Sequence, residues 1–165
     1  SLLRAVEIKS NAIPYLIHRL DADATGLMLV AHTGQAAAKL SHLFQSRELY
    51  KEYRAWVEGH LVIDGERIID TPIEDKEARS RVTTLRYNAE TNQTWVQVVI
   101  ETGRKHQIRR HLAGIGFPIV SDRLYGSAGK VPLQLIAYRL AFDSPFSNQR
   151  IDIQLPDQYD SSLHA

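Results

Sequence analysis

Asp21 lies in the stretch His18-Arg19-Leu20-Asp21-Ala22-Asp23-Ala24-Thr25-Gly26, which runs directly into the apolar segment Leu27-Met28-Leu29-Val30-Ala31. An acid and an arginine are thereby set in a turn at the mouth of an expected buried strand, where an unpaired charge costs several kcal/mol. Far along the chain, Thr102 to Leu112 holds Arg104, Lys105, His106, Arg109, Arg110 and His111, and Asp122 is the one acid between Thr102 and Tyr125. Arg109 adjoins Ile108, so its side chain is expected at the border of a buried face, a place that suits a paired arginine. A carboxylate with a fixed guanidinium counter-ion is a usable nucleophile or base. The same pair also serves as a plain clamp between two elements, and the residues alone leave both readings open.

Arg104, Lys105 and His106 stand at the expected start of a helix, where cations oppose the helix dipole. Together with free backbone N–H groups they make an anion site for a substrate phosphate or a carboxylate of the protein; the bland alternative is a solvated helix face. Tyr53 falls on the apolar side of an alternating strand, which suits core packing. Its competing use is a ring stacked on a planar base with the hydroxyl in proton transfer. Asp23 reads as a turn residue. Glu48 or Glu52 could supply the second carboxylate of a glycoside hydrolase, but Arg109 would then have no role. His106 and His111 are five apart, not four, and no Gly-rich phosphate loop or serine elbow is present. No metal and no cofactor are expected.

The elements that must position these residues follow from periodicity. Gly26–Ala31 is expected as a strand buried on both faces, and Thr33 as the N-cap of a helix over Gln35–Gln45. Tyr50–Glu58 alternates, with Tyr53, Ala55 and Val57 on one side and Glu52, Arg54, Trp56 and Glu58 on the other. Leu61–Ile63 and Arg67–Ile69 around Asp64-Gly65 suggest a short hairpin, followed by a loop over Thr71–Ser80. Val82–Tyr87 and Thr94–Ile100 read as a second hairpin, Lys105–Ile115 as a helix with Ile108, Leu112 and Ile115 inward, and Leu133–Phe142 and Arg150–Leu155 as closing strands. Mostly antiparallel strands with two inserted helices make the class α+β.

At 165 residues the chain is expected to form a single domain spanning 1–165. Hydrophobic and charged fractions of 44% and 24% are those of an ordinary globular protein. Cysteine is absent, which removes disulfides and thiolate metal sites. No apolar run approaches the ~20 residues that cross a bilayer, so the default expectation is a cytoplasmic protein without membrane contact. A net charge of +1 argues against indiscriminate nucleic-acid binding, whereas one local basic patch fits selective docking of a polyanion.

The same residues carry a resemblance. His18-Arg19-Leu20-Asp21 with Ala24-Thr25-Gly26 resembles the HRLDxxTSG motif of RluA-type pseudouridine synthases, and Lys51-Glu52-Tyr53-Arg54-Ala55 with Gly59 their K-x-Y-x-A…G strand. Thr102 to Arg109 with Leu112 is similar to their TGR-x-HQIR-x-HL helix, and Gly116 to Asp122 with Leu124-Tyr125-Gly126 to the GHPIxGDxLYG segment. The motifs occur in order and cover most of Tyr15 to Phe142.

The resemblance implies the pseudouridine synthase fold, a mixed, mostly antiparallel sheet with flanking helices and a catalytic cleft across it. It also implies isomerisation of uridine to pseudouridine in RNA (ribosomal or transfer), without cofactor or metal, by a protein expected to be monomeric. Asp21 would attack the nucleotide at C1′ or C6, Tyr53 would stack on the base and help remove the C5 proton, and Arg109 would hold Asp21. Arg19 would displace the target base from its stack, which offsets part of the few kcal/mol that extrusion costs. Arg104, Lys105, His106 and Arg110 would meet phosphates, fixing position and not sequence. A silent RNA-binding module that keeps the fold is the alternative. Ala24-Thr25, Phe117, Ser121 and Ile136 depart from the family pattern without touching Asp21, Tyr53 or Arg109. The family's opening strand, with its K-P-x-G motif, is expected ahead of Asp21; only seventeen residues precede His18, so the chain reads as truncated at its N-terminus, and no S4 module is present.

Overall fold

Aromatic residues in Tyr50–Glu58 and β-branched ones in Gln93–Ile100 suit a pleated, packed surface, and these two strands form the middle of the sheet. In the computed structural model, residues 13–156 are described. In chain order they form β1 (Tyr15–Leu16), β2 (Thr25–Gly26), β3 (Val30–Ala31), α1 (Gly34–Gln45), β4 (Tyr50–Glu58), β5 (Arg67–Ile69) and β6 (Ser80–Asn88). Then come β7 (Gln93–Ile100), α2 (Gln107–Gly114), β8 (Leu135–Asp143) and β9 (Arg150–Gln154).

The main sheet runs β2-β8-β4-β7-β6-β5, with β9 also on β8, and a separate pair joins β1 to β3. Every pairing is antiparallel except that of β2 with β8. The edge of β8 turned away from β4 is shared, β2 taking Ile136 and Ala137 and β9 taking Arg139 to Asp143. The architecture is the α+β class expected from the sequence.

Two faces of the sheet are buried. Ala55, Val57, Val82, Val96 and Val98 pack beneath Ile108 and Leu112 of α2. Trp56, Trp95, Val120 and Ile136 form a second cluster, so the side of β4 expected to be polar is covered as well. Glu52 is 3% exposed there and is satisfied by Arg54 at 2.8 Å and by the Tyr50 hydroxyl at 2.9 Å. A third cluster joins Leu43 of α1 to Leu49, Leu140 and Phe142. Thr33 caps α1 as expected, its Oγ1 accepting the Ala36 N–H at 3.1 Å.

Three expected elements differ. Gly26–Ala31 is not one buried strand but two short ones in different sheets, because the Leu29 N–H is given to the His18 Nε2 at 2.9 Å and leaves the ladder. Leu61–Ile63 forms no strand: the Leu61 N–H goes to the Thr94 Oγ1 at 3.0 Å and its carbonyl accepts the Thr84 hydroxyl at 3.1 Å, so side chains replace a hairpin partner and β5 pairs with β6. The second helix begins at Gln107 and not Lys105, since His106 sits in the left-handed region with φ 55°.

Candidate active site

Arg109 projects from α2 beneath the sheet-facing side and is 2% exposed. Its Nε and Nη2 donate to Asp122 at 3.0 and 2.7 Å, and its Nη1 faces the Asp21 Oδ2 at 3.5 Å. The hydrogen bonding that Arg109 donates to Asp122 is the main reason the guanidinium is held above its ordinary range. Asp122 is wholly buried and also accepts the N–H groups of Leu124 and Tyr125 at 3.0 and 3.2 Å. Burial pushes its carboxyl up, but Arg109 and these two N–H groups together outweigh burial and hold it below the usual carboxylate range.

Asp21 reaches this pair from the other end of the chain. A turn closes with the Ala24 N–H donating to the Asp21 carbonyl at 2.9 Å, and the chain then enters β2. Gly26 has φ +111°, and a Cβ there would collide with the Ala137 backbone, so the parallel contact with β8 requires glycine. The Leu27 N–H donates to the Ala137 carbonyl at 2.9 Å and completes the dock. The Asp21 carboxylate keeps 23% of its surface exposed.

It opens into a cleft of about 650 Å³ whose walls include His18, Arg19, Tyr53, Arg104 and His106, a size within the usual range for small-molecule sites. Burial, and secondarily the Asp21 charge, push the Tyr53 phenol up to about 12, so it is neutral at neutral pH. His18 stacks on Phe44 with centroids 4.5 Å apart; burial and then the Lys51 charge push it down to about 4, consistent with a neutral ring that accepts the Leu29 N–H.

A chain of contacts also approaches Asp21 from α2. The Arg110 Nε donates to the Tyr125 oxygen at 2.9 Å, and that hydroxyl lies 2.8 Å from the His106 Nδ1. That hydroxyl donates to Nδ1 where the ring proton sits on Nε2 and accepts from Nδ1 in the other tautomer. The His106 Nε2 is 3.9 Å from the Asp21 Oδ1.

Of the residues singled out in the sequence, Asp21, Tyr53, Arg19, Arg104 and His106 line the cleft, and Arg109 lies directly beneath Asp21. Lys105 and Arg110 do not line it. The basic patch is also less bare than its sequence neighbourhood suggests. Glu74 reaches Arg110 at 3.2 Å, Asp23 reaches Arg123 at 3.1 Å, and the Arg104 Nε donates to the Glu77 carbonyl at 2.7 Å.

Sequence reasoning missed Asp122 as the anchor of Arg109, although its standing as the lone acid in a basic stretch was the available signal. It also passed over Gln107, whose side chain binds the start of α2 to β6. The Gln107 Oε1 accepts from Thr102 and from the Arg104 N–H at 2.6 and 3.1 Å, while Nε2 donates to the Arg79 carbonyl at 2.9 Å. Buried His111 likewise has an interior role, between Ser80 and the Thr71 carbonyl, each at 2.9 Å. Among the described residues no group of three or more His, Cys, Asp or Glu side chains could hold a metal ion, and no helix is long and apolar enough to cross a membrane.

Comparison with known proteins identifies the group to which this arrangement belongs. Residues 2–114 match the family described as RNA pseudouridylate synthase. A protein of Aquifex aeolicus named as an uncharacterized RNA pseudouridine synthase is 34% identical over 175 residues, covering 90% of this chain and 55% of the relative. The ribosomal large subunit pseudouridine synthase D of Pseudomonas aeruginosa is 39% identical over 132 residues, covering 71% of this chain and 40% of the relative. The chain thus spans about half the length of these curated relatives. Among solved structures, human RNA pseudouridylate synthase domain containing 1 superposes with a TM-score of 0.84 at 21% identity, over 99% of this chain and 76% of that one, a likeness of fold.

Proposed function

Since the chain belongs to the RNA pseudouridylate synthase family, we propose that it isomerises uridine to pseudouridine in RNA, with Asp21 as the attacking group. The observation that carries this reading is the Asp21 carboxylate at 3.5 Å from a buried guanidinium, opening into a cleft that Tyr53 also lines.

The chemistry needs nothing that the side chains lack. Asp21 adds to C1′ of the sugar or C6 of the base, and the N1–C1′ bond breaks. The uracil turns, C5 bonds to C1′, and the bond to Asp21 breaks, which returns the free carboxylate. The C5 proton is lost and N1 gains one, so no electron is transferred and no redox partner or cofactor is called for. Arg109 fixes the carboxylate through its third nitrogen while Asp122 fixes Arg109.

The Tyr53 ring serves as a platform for the base. Its neutral phenol cannot take the C5 proton until it loses its own.

Arg19 is exposed on the cleft wall, where it can fill the space a flipped base vacates. Arg104 and His106 meet the strand at the mouth, and Lys105 and Arg110 meet it outside; the exposed pairing of Arg110 with Glu74 is weak enough to exchange for a phosphate. Ribosomal RNA is the favoured substrate given the names of the relatives, with transfer RNA the other candidate. Residues 1–165 act as one catalytic domain, working as a monomer in the cytoplasm.

The test is direct. Purified protein incubated with ribosomal and transfer RNA is expected to form pseudouridine, and the Asp21→Asn variant none, with folding and RNA binding intact. Turnover by that variant removes Asp21 from the mechanism. Pseudouridine maps of cells with and without the gene then name the RNA.

A further inference from the structure

Lys51 sits in the middle of the sheet, its backbone between Ile100 of β7 and Leu140 of β8, and only 8% of it is exposed. Burial of a lysine is costly, because the ammonium gives up its water, and such a residue is normally paired. Among the described residues, Lys51 has no carboxylate within 4.0 Å and no hydrogen-bond acceptor. Its one close partner is the ring of Phe44, 5.8 Å from Nζ to the centroid. The residue nevertheless lines the cleft that Asp21 and Tyr53 line.

The acids nearby are already engaged. Glu101 borders the same cleft, but its two oxygens face Arg79, just ahead of β6, and Arg81 within it, at 3.1 and 3.4 Å. Asp21 faces Arg109 and His106. Burial pulls the Lys51 ammonium below its ordinary range. Gly103 adds a second observation. Its φ is not in the left-handed region, so the backbone does not demand glycine; a Cβ there would stand 3.4 Å from the Lys51 Nζ. The absent side chain leaves the approach to the ammonium open.

We propose that Lys51, with the bare backbone of Gly103 beside it, is an anion subsite inside the cleft that takes a backbone phosphate of the RNA strand next to the target nucleotide. This rests on the pseudouridine synthase reading for the identity of the strand, but not for the existence of the subsite. The rim cations Arg19 and Arg104 contact whatever strand passes. Lys51 differs because its stem is buried and its ammonium faces the cleft without a carboxylate of its own, so an incoming phosphate supplies the counter-ion that the fold does not. It is a binding and positioning residue; the reacting atoms belong to Asp21 and Tyr53.

The experiment compares the whole chain with Lys51→Met and Lys51→Arg. Salt dependence of binding to a uridine-containing single-stranded RNA is measured in an Asp21→Asn background, so that no turnover intervenes. Losing one phosphate contact flattens the slope of log affinity against log salt by about 0.7 for a single strand. Lys51→Met is expected to show that flattening and Lys51→Arg to restore most of the slope. Lys51→Met is also expected to melt at the same temperature or higher, since it removes a desolvated charge and keeps an apolar stem. An unchanged slope in Lys51→Met overturns the subsite, and so does a lowered melting temperature with the slope preserved, which would make Lys51 a structural partner of Phe44. Failure of the wild-type protein to form pseudouridine, with the Lys51-dependent slope present, overturns the proposed reaction and leaves the subsite standing.

Discussion

Asp122 holds Arg109 more closely than Asp21 does: the guanidinium spends two nitrogens on Asp122, at 2.7 and 3.0 Å, and offers a third to Asp21 at 3.5 Å. The first contact is buried and completes a structural pair, while the second faces a cleft and leaves the carboxylate available. Asp122→Ala is therefore expected to cost about 3–5 kcal/mol, the usual penalty for stranding a buried charge. Asp21→Asn is expected to cost under about 1 kcal/mol, as for other weak, solvent-reachable pairs. Urea unfolding of the two variants decides, and the reverse order would make Asp21 the anchor.

His18 gives the protein an acid-sensitive seam. Its folded-state value of about 4 lies below the ordinary 6.5, so the unfolded chain binds the proton more readily. The stability it contributes is fully present above pH 6.5 and is lost as pH falls through 4, on the order of 3 kcal/mol in all. Unfolding free energies measured across that window should fall more steeply for the wild type than for His18→Phe. Parallel curves would show that the buried imidazole is not linked to folding.

Gly26→Ala should be among the most damaging small substitutions. The backbone there is left-handed and the added methyl meets the Ala137 main chain, so a loss of at least about 2 kcal/mol is expected. The segment carrying Asp21 would be lifted from β8, and pseudouridine formation should drop further than the melting temperature alone accounts for. A fully active variant would show that the parallel contact does not set the position of Asp21.

Tyr125 is the Nδ1 partner of His106, at 2.8 Å, and is expected to set its tautomer. Imidazole nitrogen shifts should report the proton of neutral His106 on Nε2 in the wild type, and a mixture of tautomers in Tyr125→Phe, where the 2.8 Å partner is gone. An unchanged tautomer in that variant would mean that Asp21, 3.9 Å away, sets it instead.

Much of this was legible in the sequence, and the limits have physical causes. Strands β4, β6, β7, β8 and β9 announced themselves because long alternating or β-branched runs dominate their local preference. The inward set Ile108 and Leu112 was readable from helical spacing. The pairing of Asp21 with Arg109 was readable because a buried charge demands a partner. The break between Gly26 and Val30 was not, because it depends on His18 removing one N–H from the ladder. The non-strand at Leu61 was hidden for the same reason, its partners being the hydroxyls of Thr94 and Thr84. Asp122 was seen as a lone acid, but only its position 2.7 Å from Arg109 shows which cation it serves. Side chains that satisfy backbone or charge across the fold leave no periodic trace.

The seat for Gly26 on β8 is made by residues 110 positions further on, as the Thr25 contact with the Leu135 carbonyl shows. A ribosome has therefore released Asp21 long before anything exists for it to settle against. A fragment ending after α2 would carry Asp21, Tyr53 and Arg109 and still lack both the Asp122 clasp and the ledge at Ala137. A nascent chain that stops short of β8 therefore has every cleft-lining acid and cation in hand but not the contacts that seat Asp21 over Arg109.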